Sequence, residues 1–148
     1  MLKEKIYPDF LVTVQLGSLV YLMLSGTLRA GSDLGLVVEA FGIIIGVVAI
    51  YVAGIHNVNI RPLPKEGARL ITSGPYRFIR HPMYLAQVVA FIPLVVSDYT
   101  PLRLAVILSL TIALLLKIPY EEKGLIGQFG EAYEIYRSKT KKVVPFIY

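Results

Sequence analysis

The sequence predicts an all-α integral membrane protein of four transmembrane helices followed by a C-terminal amphipathic helix, and three observations predict it. The 148 residues are 55% hydrophobic with a mean hydropathy of +0.65, more than the surface of a water-soluble domain of this size tolerates. Four apolar runs, at about 10–28, 34–55, 83–97 and 102–118, approach the ~20 residues that a bilayer helix needs. The lysines and arginines gather on one side of those runs.

The first run is too long for the apolar core of a cleavable signal and has no small-residue cleavage site after it, so it is expected to stay as an anchor. The second, Leu34 to Ile55, contains a Gly42-x-x-x-Gly46 face suited to close helix packing, within this chain or against a second copy in a homodimer. Glu39 inside it is an ionisable group at membrane depth, which is either functional or reaches the outer interface. The third run is short at ~1.5 Å per residue, with Asp98 and Tyr99 available to lengthen it. The fourth follows almost at once, so runs three and four form a hairpin. Beyond it, Glu121 to Thr140 carries Leu125, Ile126, Phe129, Tyr133 and Tyr136 at three- and four-residue steps, which predicts an amphipathic helix over 121–140. No repeat or linker tract divides the chain, so 1–148 reads as one domain.

With the N-terminus, the 56–82 loop and the C-terminal tail on one side, that side holds every Lys and Arg except Arg29 and Arg103. The asymmetry fits the positive-inside rule and places both termini in the cytoplasm. It also accounts for a pI of about 9.5 without any nucleic-acid partner. The chain has no cysteine, and His56, at the interface, has no partner at ligand spacing, so no metal site is expected.

The polar chemistry collects at two places. The stretch GPYRFIRHPMY, Gly74 to Tyr84, ends the long loop and enters the third helix at Pro82, a residue suited to a first helical turn. Arg77, Arg80 and His81 beside a helix start would receive a carboxylate or phosphate. Anchoring to lipid headgroups is the other reading of the same residues. Across the hairpin, Pro119, Tyr120, Glu121 and Glu122 leave the fourth helix on the same face. Adjacent carboxylates there point to a cationic or hydrogen-bond-donating ligand, or to a Glu pair at the start of the next helix.

In this order, LITSGPYRFIRHPMYLA, a helix, a short turn, a second helix and EEKGLIGQFGEAYEIYRSKTKKVVPF, the chain from about residue 55 to 147 resembles the isoprenylcysteine carboxyl methyltransferase family and its phospholipid methyltransferase relatives. The residues that carry the likeness are Arg80-His81-Pro82 with Tyr84, Glu121-Glu122, Phe129-Gly130 with Tyr133 and Tyr136, and Val144-Pro145. The resemblance implies a membrane methyltransferase that uses S-adenosylmethionine on the cytosolic side, with a lipophilic small-molecule or prenylated acceptor entering from the surrounding membrane lipid. It puts His81, Tyr84, Glu121 and Glu122 around the cofactor, with Gly74 and Tyr76 in the loop that covers it. It makes Arg80 and Glu122 the catalytic pair, Arg80 gripping the cofactor carboxylate or an acceptor carboxylate. A nitrogen acceptor would need Glu122 or His81 as base.

Asn57 and Asn59 stand where relatives carry polar groups, and also where local caps use Asn. Ala86 replaces a glycine common in relatives and is expected to narrow the groove. A second resemblance, to membrane sterol reductases that bind a nicotinamide cofactor, is weaker because those chains are longer. A scaffold that kept the motif for packing alone would not need charge on both sides.

Overall fold

The computed structural model describes residues 2–55, 57 and 67–147. His56, Asn59, Arg61 and Lys65 lie outside the described residues. Among those described there are five α-helices and no strand: α1 Leu2–Leu24, α2 Asp33–Ala53, α3 Pro82–Ser97, α4 Pro101–Phe129 and α5 Glu131–Lys139, with a 3-10 turn at Gly74–Arg77. Three helices are long and apolar enough to cross a membrane, over Tyr7–Leu24, Asp33–Ala53 and Pro101–Phe129. Helix α3, at 16 residues, is shorter.

Local signals set the boundaries. Ser32 caps α2 by accepting from the Gly35 N–H at 3.1 Å, and Gly54, at φ +75°, ends it in a conformation that favours glycine. Thr100 Oγ1 caps α4 from the Arg103 N–H at 3.1 Å, and Pro101 occupies its first turn. Asp98 and Tyr99 do not lengthen α3. Asp98 is its C-cap, and its carboxylate turns to accept from both the N–H and hydroxyl of Thr27 at 2.6 Å.

Helices α2 and α3 pack as one pair and α1 and α4 as another, with α3 also meeting α4. The Thr27–Asp98 contact joins the α1–α2 and α3–α4 turns at one end of the bundle, so each of the four helices runs from that end to the other. Leu22, Tyr84, Val95, Ile107, Leu110, Leu114 and Ile118 form the core. Phe41, Ile44, Val47 and Tyr51 of α2 are exposed, as an apolar face against lipid tails requires.

The Gly42/Gly46 face is taken up within the chain. A Cβ at Gly42 would lie 2.5 Å from the Ala90 backbone nitrogen, and one at Gly46 would lie 3.4 Å from the Ala86 methyl. This leaves no room on that face for a second copy, which corrects the homodimer expectation. The Ala86 methyl, expected to narrow a groove, is buried in the α2–α3 seam opposite Gly46.

The expected amphipathic helix over 121–140 is split. Helix α4 runs through Pro119 to Phe129, and the chain breaks at Gly130, φ +53°. Pro119 lies on the exposed face while Leu114, Lys117, Ile118 and Glu122 keep the opposite face buried, so packing sustains the helix where local propensity would end it. At about 1.5 Å per residue, its 29 residues reach roughly 43 Å, beyond a ~30 Å hydrocarbon core. Glu121 and Glu122 therefore sit in the body of a long helix, which removes the reading of a Glu pair at a helix start.

Candidate functional site

At the end of the bundle away from the Thr27–Asp98 turns, the C-terminal segment folds back along the entry to α3. Arg80 N–H donates to Lys141 O at 2.8 Å, His81 N–H to Lys142 O at 2.9 Å, and Lys141 N–H to Phe78 O at 3.1 Å. An isolated parallel bridge between Ile79 and Lys141 is the one departure from helix and turn here. This strap fixes the backbone of Arg80 and His81 against α4, so their side chains face its two carboxylates.

Arg80 is buried. Its Nε donates to Glu122 Oε1 at 2.7 Å, and Nη1 donates to the carbonyls of Thr140 and, at 3.1 Å, Arg137. The guanidinium thus ties α4 to the end of α5. His81 lies between the carboxylates, Nδ1 3.3 Å from Glu121 Oε2 and Nε2 3.5 Å from Glu122 Oε1. The second contact is within ion-pair distance but lacks hydrogen-bond geometry, and Nε2 has no hydrogen-bond partner among the described residues. Burial is the largest single influence on His81 and lowers its pKa, but the close approach of the Glu121 and Glu122 carboxylates outweighs it, so the pKa stands above the ordinary 6.5.

The Tyr84 ring stacks on His81 with centroids 5.4 Å apart and planes 16° from parallel. Its hydroxyl donates to Glu121 Oε1. Tyr136 donates to the Tyr76 carbonyl at 2.7 Å, docking α5 on the 3-10 turn, and burial with the Glu121 charge pushes the Tyr76 phenol up to about 12. Gly74, φ +57°, has no room for a side chain because a Cβ would meet Val52 of α2 at 2.9 Å. Its role here is to let the turn pack on α2.

Arg80, His81, Tyr84, Glu121 and Glu122 are thus brought together, Tyr76 flanks them, and Gly74 stands behind the turn. Sequence reasoning missed several participants. Tyr133, 1% exposed, has a hydroxyl with no hydrogen-bond partner among the described residues. Burial first, and Glu122 next, push that phenol well above its ordinary range, so it stays a donor. Thr140 supplies a carbonyl to Arg80. Lys117, read as a flanking charge, is buried, with Nζ donating to Gln15 at 2.7 Å and lying 3.9 Å from Glu121. The available signal was a Lys and a Gln inside apolar runs. A groove of about 350 Å³ reaches Glu122 from outside, lined by Ile118, Pro119, Ile126, Lys123, Arg137 and Lys142.

Two other expectations resolve locally. Glu39 accepts from the Ala30 N–H at 2.8 Å and ties down the α1–α2 turn. Asn57 donates to Ala53 O at 2.9 Å and accepts from Arg69 N–H at 3.0 Å, so it caps α2 and holds Arg69 beside that cap.

The model of the isoprenylcysteine carboxyl methyltransferase (ICMT) family matches residues 34–127. The chain belongs to that family. Accordingly it is an integral membrane protein. Among individual proteins it is similar to methanethiol S-methyltransferase 1 of Bradyrhizobium diazoefficiens, 34% identical over 95 residues, which are 63% of this chain and 33% of that protein. It is also similar to a probable protein-S-isoprenylcysteine O-methyltransferase of Oryza sativa subsp. indica, 35% identical over 118 residues, 78% of this chain and 62% of the relative. Protein-S-isoprenylcysteine O-methyltransferase B of Arabidopsis thaliana is 32% identical over 122 residues, 78% of this chain and 60% of the relative. The chain thus spans between a third and about three-fifths of the length of these relatives.

Proposed function

We propose that the chain is an S-adenosylmethionine-dependent membrane methyltransferase acting on a lipophilic acceptor, most like isoprenylcysteine carboxyl methylation. The observation that carries the reading is the convergence of His81 and Tyr84, at the start of α3, with Glu121 and Glu122 of α4 at one largely buried point in a member of this family. The donor set fits the cofactor's chemistry. Carboxylates suit its ammonium and sulfonium charge, while His81 Nε2 and the Tyr133 hydroxyl are buried polar atoms with hydrogen-bonding capacity to give.

When bound, S-adenosylmethionine supplies an electrophilic methyl group. Glu121 and Glu122 would hold its cationic end, His81 and Tyr84 would line its pocket, and Gly74 and Tyr76 would belong to the covering loop. Arg80, whose guanidinium is engaged with Glu122 and Thr140, acts by fixing Glu122 and closing the strap. A carboxylate acceptor needs alignment and exclusion of water, not a base. A nitrogen acceptor would give up its proton to Glu122 or His81.

A second reading, a thiol acceptor, is favoured by the likeness to methanethiol S-methyltransferase 1. The site lies on the cytoplasmic side, with both termini there and α3 as a fourth span. The end-to-end course of the four helices and the distribution of Lys and Arg support that topology. Cysteines placed singly at Leu28 and Ser73 should label from opposite sides of a sealed vesicle; same-side labelling overturns it.

Calorimetric titration of the purified chain with S-adenosylhomocysteine, beside NADPH, tests the function. Binding of the first alone supports the reading, whereas binding of NADPH alone replaces it with reductase chemistry. If His81→Ala and Glu122→Gln leave the affinity unchanged, the pocket is elsewhere.

A further inference from the structure

Lys117 is a buried cation on α4, 1% exposed, at the depth where three helices meet. Its Nζ donates to Gln15 Oε1 of α1 at 2.7 Å, Gln15 Nε2 donates to Gln87 Oε1 of α3 at 2.9 Å, and Gln87 Nε2 donates to the Met83 carbonyl at 3.2 Å. The same Nζ lies 5.3 Å from the Tyr84 ring centroid and 3.9 Å from Glu121 Oε1. A buried ammonium is expensive in an apolar bundle, and an apolar side chain of the same length would cost less. Three helices nevertheless contribute to holding it one turn before Glu121.

The charges beside it suggest why. Glu121, half-buried, and Glu122, buried, are adjacent like charges on either side of His81, an arrangement that favours nearby cations. Arg80 is hydrogen-bonded to Glu122. Glu121 has Tyr84, His81 and Lys117 around it. The groups facing His81 are Glu121 and Glu122 from α4, Tyr84 from α3 and Arg80 beside it in the chain, with Tyr133 of α5 near Glu122. Among them, His81 is the group able to change charge near neutral pH.

We propose that Lys117 is the counter-cation of Glu121, held in place by Gln15 and Gln87, and that it offsets the negative charge that Glu121 presents to His81. Lys117 is then a positioning residue for the site: it acts through Glu121 and leaves His81 able to serve as either donor or acceptor toward a ligand. Only its consequence for cofactor binding rests on the methyltransferase reading.

The test uses the full chain in lipid nanodiscs, with 15N-labelled histidine followed by NMR through a pH titration; the chain has two histidines, and His56 serves as reference. Lys117→Met and Lys117→Gln remove the cation with an apolar and a polar side chain, and Lys117→Arg restores it. Both charge-removing variants should raise the His81 titration midpoint, strengthening protonation about tenfold, and lower affinity for S-adenosylhomocysteine at neutral pH. Arginine should bring both back toward the parent. A His81 midpoint that stays put in whichever charge-removing variant folds, with only thermal stability altered, overturns the proposal. If the midpoint moves as expected but neither parent nor variants bind S-adenosylhomocysteine, the charge balance stands and the cofactor reading falls.

Discussion

The two ends of the bundle both bury an arginine, and they use it differently. At the turn end, Arg103, 1% exposed, donates to Ser25 Oγ at 2.7 Å and to the Leu94 carbonyl at 3.1 Å, while Asp98 takes Thr27 and Ser97 takes the Gly31 N–H. Its partners are one hydroxyl and one backbone carbonyl at the end of α3. At the opposite end, Arg80 meets a pair of adjacent carboxylates, a histidine that titrates and a tyrosine hydroxyl with bonding capacity left over. One arrangement staples two turns; the other gathers adjacent charges around a histidine. Buried cations thus carry different meanings according to whether hydroxyl and backbone groups or adjacent carboxylates surround them.

Breaking Arg80 should have the largest effect. Arg80→Ala strands the Glu122 carboxylate and opens the strap, an expected loss of about 3–5 kcal/mol in thermal unfolding together with loss of S-adenosylhomocysteine binding. Retained stability would show that the strap is held without it. Arg103→Met should cost about 1–3 kcal/mol and leave affinity per folded molecule unchanged. An affinity loss there would dissolve the contrast between the ends.

Gly42→Ala drives a methyl into the Ala90 backbone and should cost about 1–3 kcal/mol, visible as a lower unfolding midpoint. Smallest is the pH response, which sharpens the comparison because the ends carry opposite signs. His81 is raised above 6.5, so its contribution is full below 6.5 and is lost as pH rises through the folded value. Asp98 is lowered from 3.8 by its bonds to Thr27, so its contribution is full above 3.8 and is lost as pH falls through the folded value. His81→Asn should flatten the neutral limb and Asp98→Asn the acid limb; a neutral limb that survives His81→Asn belongs to another group.

Much of the site was legible because its residues sit in short motifs. Arg80, His81 and Tyr84 lie within one turn of Pro82, and Glu121 and Glu122 are adjacent, so meeting across a hairpin was enough to join them. Lys117, Gln15 and Gln87 were not legible as a set, since they lie on three helices and only the packing of α1 on α4 beside α3 closes the chain of bonds. Tyr133 and Tyr136 were read as part of a packing stripe and of the family likeness, with no role at the site, because a 3.6-residue period marks a buried face without saying which hydroxyl finds a partner.

By itself the sequence determined the medium, the helices and most of their ends, because hydropathy over a bilayer's thickness and cap residues such as Ser32, Thr100 and Pro82 act locally. Only the tertiary structure decided that α4 continues past Pro119, that Gly42 and Gly46 seat α3 instead of a second copy, and that Arg80 is bound to Glu122. Each of those depends on burial against a partner distant in the chain, and burial is set by packing that local propensity does not encode.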